Sequence, residues 1–163
     1  MNKVYPYQLI ADYFIALSND TQSPITNLKL QKLVYYAQAW NLALLKRELI
    51  HDDFQAWVHG PVIPGLYNDY RQFGWQPIIR EDLKEGVLPE IKKQFEPDVL
   101  KVLADVEYEY FGLEAYQLEK LTHNEDPWIL TREGLSDDEP SDRIIDKGLI
   151  KDYYTKFVVN EQD

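Results

Sequence analysis

Residues 25–45 read ITNLKLQKLVYYAQAWNLALL, and this stretch decides the fold. Leu30, Leu33, Val34, Ala37, Trp40 and Leu44 recur at helical period and form one apolar stripe. Leu28, Tyr35, Leu42 and Leu45 widen that stripe until only a narrow face is left for solvent. A helix lying on a surface does not need so much apolar face. The spacing therefore predicts a central helix over residues 26–45, with other elements packed on more than one side. Thr26 or Asn27 can cap its start. Pro24 precedes the cap, where it removes no helical hydrogen bond.

Working outward, residues 5–17 read as a first helix with Leu9, Phe14 and Leu17 inward, and residues 18–24 read as a polar linker. Beyond the central helix the period changes. Residues 54–59 alternate briefly, as a short strand does, and Gly60 and Pro61 end the alternation. Leu49 and Ile50 are its expected partner, which gives at most a small two-stranded β element near residues 49–59. Pro61 or Pro64 opens a helix with Ile63, Leu66, Tyr67, Tyr70 and Phe73 on one side, broken by Gly74. Residues 81–95 read as two short pieces or a long loop.

Residues 98–111 form a second strong helix, capped by Asp98, with Val99, Val102, Leu103, Val106 and Tyr110 in its stripe. A shorter helix follows over residues 113–122, with Leu118 and Leu121 inward, and a brief one begins at Trp128. Residues 134–140 are polar and acidic and read as an exposed loop. A terminal helix is expected at about 147–159, with frayed residues after it. The class is mainly α: a compact multi-helix domain, one unit over residues 1–163.

The chain has 163 residues, 12 Tyr, 6 Phe, 4 Trp and no Cys. Without cysteine there is no disulfide, no thiolate chemistry and no cysteine-ligated metal or cluster. No signal peptide and no membrane-length apolar run is visible, so no membrane association is expected. The net charge of −11 is unevenly spread. Residues 1–80 hold 7 Lys/Arg and 6 Asp/Glu, whereas residues 81–163 hold 10 Lys/Arg and 22 Asp/Glu. An acidic half disfavours nucleic-acid binding, which needs phosphate neutralisation. It favours a cationic partner or simple solubility. The central helix is also too apolar to act as a base-reading helix, so no direct nucleic-acid contact is expected.

Candidate chemistry is sparse. His51 lies in a polar turn, His59 precedes Gly60 and Pro61, and His123 precedes Asn124. There is no HExxH helix, no G-x-S-x-G turn and no glycine-rich phosphate loop. His59 and His123 read as partly buried rings that hold loops. No cofactor, no metal and no catalytic residue is expected, and the chain reads as no enzyme. The sharpest local feature is the corner Gly60–Pro61–Val62–Ile63–Pro64. It either turns the extended arm back onto the main helix or offers a preorganised edge to a partner, as an aromatic patch of Trp57 and Tyr67 or by strand addition along residues 54–58.

Three segments together resemble a known family. They are L-x-L-Q-K-L-V-Y-Y-A-Q-A-W at residues 28–40, F-x-A-W-x-H-G-P-V-I-P-x-L-Y at residues 54–67 and T-H-x-x-x-P-W at residues 122–128. The pattern is similar to the Panacea domain, the SocA-like antitoxin family first catalogued as phage-associated proteins of unknown function. The resemblance implies a cytoplasmic, mainly helical antitoxin of a toxin–antitoxin system that neutralises a cognate protein toxin by direct binding. A proteolytic adaptor that delivers the toxin to a cytoplasmic protease is the alternative. A phage or mobile-element regulatory protein without catalysis is another, and a homodimer is a further use of exposed Tyr and Trp. Some family members add an N-terminal DNA-binding domain, and no such extension is expected here. The family pattern marks Gln31, Lys32, Trp57, His59, Gly60, Pro61, Tyr67, His123 and Trp128 as motif or partner-binding positions. Gln31 and Lys32 stand off the main apolar stripe, so they either fasten the loops or face the partner.

Overall fold

A computed structural model describes residues 3–158. Its elements are α1 (Tyr7–Thr21), α2 (Asn27–Leu45), β1 (Gln55–Trp57), β2 (Gly60–Val62), α3 (Pro64–Tyr70), α4 (Leu88–Lys92), α5 (Pro97–Val106), α6 (Ala115–His123), α7 (Asp126–Thr131) and α8 (Lys147–Thr155). Short 3-10 turns at Arg71–Phe73 and Glu81–Leu83 and a π-helical turn at Glu107–Phe111 complete the described helices. The fold is mainly helical with one small antiparallel hairpin, as the periodicities indicate. No helix among the described residues is long and apolar enough to cross a membrane.

The central helix is where its pattern puts it. The Thr26 hydroxyl accepts the Lys29 backbone N–H at 3.2 Å and starts α2. Lys46, in the left-handed conformation at φ 62°, ends it by donating its N–H to the Leu42 carbonyl. The helix touches α1, α3, α5, α6, α8 and β2. It is wrapped so fully that Asn27, Gln31, Lys32, Gln38 and Asn41 are buried along with Leu30, Leu33, Val34 and Ala37 of the stripe, while Trp40 is half-buried and Leu44 at the helix end is exposed. Buried polar groups need partners, and on α2 most of these side chains bond the backbone of other segments. Gln38 accepts the N–H groups of Leu49 and Ile50 at 2.8 and 3.1 Å and donates to the Ile50 carbonyl at 2.7 Å.

That clamp corrects the expected hairpin. Leu49 and Ile50 do not pair with residues 54–59. They are held by Gln38, and Tyr5 donates its N–H to the Leu49 carbonyl at 2.8 Å. The partner of β1 is β2, with Ala56 opposite Pro61 and Trp57 opposite Gly60. Gly60 and Pro61 therefore form the second strand instead of ending the first. Proline is tolerated because Ala56 turns both backbone groups away from β2. Its N–H goes to the Arg143 carbonyl at 2.8 Å, and its carbonyl accepts Arg132 Nη1 at 2.8 Å. The Ala56–Pro61 position thus needs no ladder donor.

Other boundaries shift for local reasons. α1 continues past Leu17 to Thr21, because Ser18 and Thr21 donate to carbonyls one turn back and Asn19 donates to the Leu83 carbonyl at 2.6 Å. A polar segment stays helical when its side chains are satisfied in place. α5 starts with Pro97 in its first turn, so Asp98 is not the cap but a partner for Arg47 at 3.0 Å. Leu121 is 37% exposed while Leu118 is fully buried. Residues 81–95 form two short helical pieces. α8 ends at Thr155, and Val159 with the residues after it lies outside the described residues.

Candidate functional site

The three sequence motifs meet at one end of α2. Gln31 accepts the Ile63 N–H at 3.3 Å and donates to the Asn27 side chain at 2.9 Å, and Asn27 donates to the Tyr67 carbonyl at 3.1 Å. This relay fixes the entry to α3. One residue along, Lys32 is 0% exposed and donates from Nζ to the Pro61 carbonyl at 2.9 Å. Burial pulls the Lys32 pKa down to about 7, against the opposing attraction of the Glu119 carboxylate. Both side chains hold loop backbone.

Gly60 is forced by this packing. Its φ is +109°, and a Cβ there would stand 2.5 Å from Lys32 Cε and 2.8 Å from Thr122 Oγ1. Only glycine gives both the conformation and the clearance. The Thr122 hydroxyl is buried and donates to the Glu119 carbonyl at 2.8 Å.

The hairpin turn carries the exposed groups. His59 Nδ1 meets Glu119 Oε1 at 2.7 Å, and its ring lies edge-on to Trp75 at 6.1 Å. Trp57 packs edge-on against Tyr67 at 5.0 Å, with its indole N–H on Gln55 Oε1 at 2.8 Å. Behind the turn, Trp128 donates its indole N–H to the Trp57 carbonyl at 2.8 Å. The Trp128 ring stacks on His123 at 4.0 Å and lies under the Arg132 guanidinium at 4.9 Å. His123 Nε2 is 3.9 Å from the same Glu119 oxygen that holds His59. Burial pushes the His123 imidazole below its ordinary range, and Glu119 opposes that shift.

All nine motif residues thus belong to one connected set. Gln31, Lys32, Gly60, Pro61 and Trp128 lie inside it, His123 is half-buried, and Trp57, His59 and Tyr67 reach its surface. Strand addition along residues 54–58 is blocked, since Arg143 and Ile145 already hydrogen-bond the outer edge of β1. Glu119, Arg132 and Trp75 were not singled out by the sequence reading. Glu119 and His123 are spaced i, i+4, as are Trp128 and Arg132, so helical spacing carried a usable signal for two of the three. Trp75, 73% exposed, carried none. Two clefts flank the turn. One, of about 330 Å³, lies between Trp57, Tyr67, Arg71 and Trp75. The other, of about 500 Å³, separates Trp57 and His59 from residues 140–142. Among the described residues no three His, Cys, Asp or Glu side chains are grouped to hold a metal ion.

The family model described as "Antitoxin SocA-like, Panacea domain" matches residues 30–129. That span includes all nine motif residues, Glu119 and Trp75. A relative, Antitoxin SocA of Caulobacter vibrioides (strain NA1000 / CB15N), is 40% identical over 65 residues, which is 40% of this chain and 35% of that protein. No solved structure matches the chain.

Proposed function

The chain belongs to the SocA-like, Panacea-domain antitoxin family, and from that premise we propose that it neutralises a cognate protein toxin by direct, non-catalytic binding in the cytoplasm. The observation that carries this reading is how the hairpin turn is mounted. Trp57, His59, Tyr67 and Trp75 stand at the surface, while Gln31, Lys32, Gly60, Pro61, His123 and Trp128 hold the backbone beneath them. A rigid aromatic surface loses little conformational entropy on binding, and aromatic anchors carry most of the energy in protein interfaces. The buried motif residues act by positioning, and the exposed ones make contact.

The test is co-expression with the product of the adjacent gene. The chain is expected to restore growth when that product is toxic and to co-purify with it. Toxicity that persists with the chain present would overturn the reading. The lifetime of the toxin separates direct block from delivery to a protease. A stable complex at unchanged toxin level supports block.

A further inference from the structure

The larger cleft beside the hairpin turn has two unlike walls. Trp57, Val58 and His59 form one, and Pro140, Ser141 and Asp142 form the other. The first lies within the family match at residues 30–129 and the second lies outside it. The floor is mostly apolar. The second wall ends a segment, residues 131–143, that holds five carboxylates and two cations. Glu133, Asp137, Asp138, Glu139 and Asp142 are all exposed. Both cations are committed to backbone. Arg132 donates to the carbonyls of Ala56, Ser136 and Glu139, and Arg143 to those of Thr131 and Glu133. The arginines shape the loop and leave its carboxylates facing outward.

We propose that this cleft takes a segment of a partner protein that inserts one apolar or aromatic side chain beside Trp57 and Val58 and places Lys or Arg against Asp142 in its wall and the exposed acidic segment before it, which includes Asp137. The inference rests on the antitoxin reading and gives the toxin a chemical description: a cationic segment with an apolar anchor. Charge complementarity selects the occupant. Phosphate backbones are repelled by the acidic rim, and a second copy of this chain, at net charge −11, is repelled as well. An anchor in an apolar pocket supplies affinity, and rim charges supply steering and selectivity.

The experiment pans a random dodecapeptide phage library against the full chain and measures the selected peptides by fluorescence polarisation. Enriched peptides are expected to join an aromatic or large aliphatic residue to Lys or Arg. The exposed double variant D137K/D142K is expected to weaken them about tenfold or more. Val58→Lys, which places a cation in the first wall of the cleft, is expected to abolish binding. D105K/E109K adds the same charge at exposed positions elsewhere and is expected to change binding by less than about twofold. No enrichment, enrichment of acidic peptides, or equal weakening by D105K/E109K overturns the proposal. The readout needs no toxin. A failed growth rescue with successful peptide selection therefore sinks the antitoxin reading alone, and the reverse result sinks the docking cleft alone.

Discussion

Two polar networks hang from neighbouring turns of α2, and they differ in the sign of their buried charge and in what they hold. Lys32 is enclosed without an ion-pair partner within 4 Å among the described residues, and it donates to a hairpin carbonyl. One turn on, Tyr36 and Tyr154 donate to the partly buried Glu125 carboxylate at 2.8 and 2.7 Å. Tyr154 also meets the Tyr35 hydroxyl at 3.2 Å, and Tyr110 stacks on Tyr36 at 3.9 Å. Burial raises the Glu125 pKa above its ordinary range, against the lowering effect of the two tyrosine hydroxyls. The tyrosine network closes α7 and α8 onto the core and presents little outward. The Lys32 network holds a turn whose aromatic face remains open. Neighbouring turns of one helix thus hold a closed network, the locking end, and one under an open aromatic face, the presenting end.

The largest expected break is at the presenting end. Gly60→Val combines a forbidden φ with a clash against Lys32 and Thr122, and is expected to cost about 2–4 kcal/mol. A fall in thermal midpoint together with loss of partner binding would show it, and an unchanged midpoint would refute the packing account. Next is Lys32→Met, which keeps the stem but leaves the Pro61 carbonyl unpaired, at about 1–3 kcal/mol.

The Lys32 change also carries a pH signature. The folded pKa of about 7 lies below the ordinary lysine value of 10.5. Between those values the unfolded chain binds the proton that the folded chain refuses, so this group makes stability rise with pH across that window. Denaturant titrations at pH 7 and pH 10 are expected to show the rise in the wild-type chain and a smaller one in Lys32→Met.

Glu125→Gln tests the locking end with the opposite sign. Its folded pKa is raised, so its contribution is full below the unfolded value and is lost as pH rises through the folded value. Glutamine keeps the acceptor without the charge. The variant is expected to match the wild type near pH 4 and to exceed it at pH 8 by about 0.5–1 kcal/mol. A variant less stable than the wild type at both pH values would contradict this account.

The smallest effect on stability is expected at the exposed rim. Trp75→Ala is expected to move stability by less than about 0.5 kcal/mol, because the ring is mostly in solvent. The same change is expected to weaken toxin capture. Equal capture by wild type and Trp75→Ala would remove Trp75 from the contact surface.

Residues 25–45 made α2 legible to within a residue or two, because its apolar period, its Thr26 cap and its length agree. The pattern did not reveal that Gln31, Lys32 and Gln38 are core residues, since polarity in a sequence reads as solvent. Their burial becomes visible only when the carbonyls of Pro61 and Ile50 and the Ile63 N–H are in place to receive them. The β element shows the same limit. Alternation over residues 54–59 identified a strand, but Gly60 and Pro61 read as a stop, and only the outward hydrogen bonds of Ala56 make a proline strand acceptable there.

The three motifs carried the family and named nine residues that prove to be one connected set. Sequence alone determined the helical class, the central helix, the acidic second half and that family likeness, because these depend on local period, composition and residue order. Tertiary structure alone decided that His59 and His123 share Glu119, that Arg132 and Arg143 are committed to backbone, and that an acidic loop far along the chain faces the aromatic turn. Those relations join residues tens of positions apart, and nothing in local sequence encodes the distance between them until the core has closed.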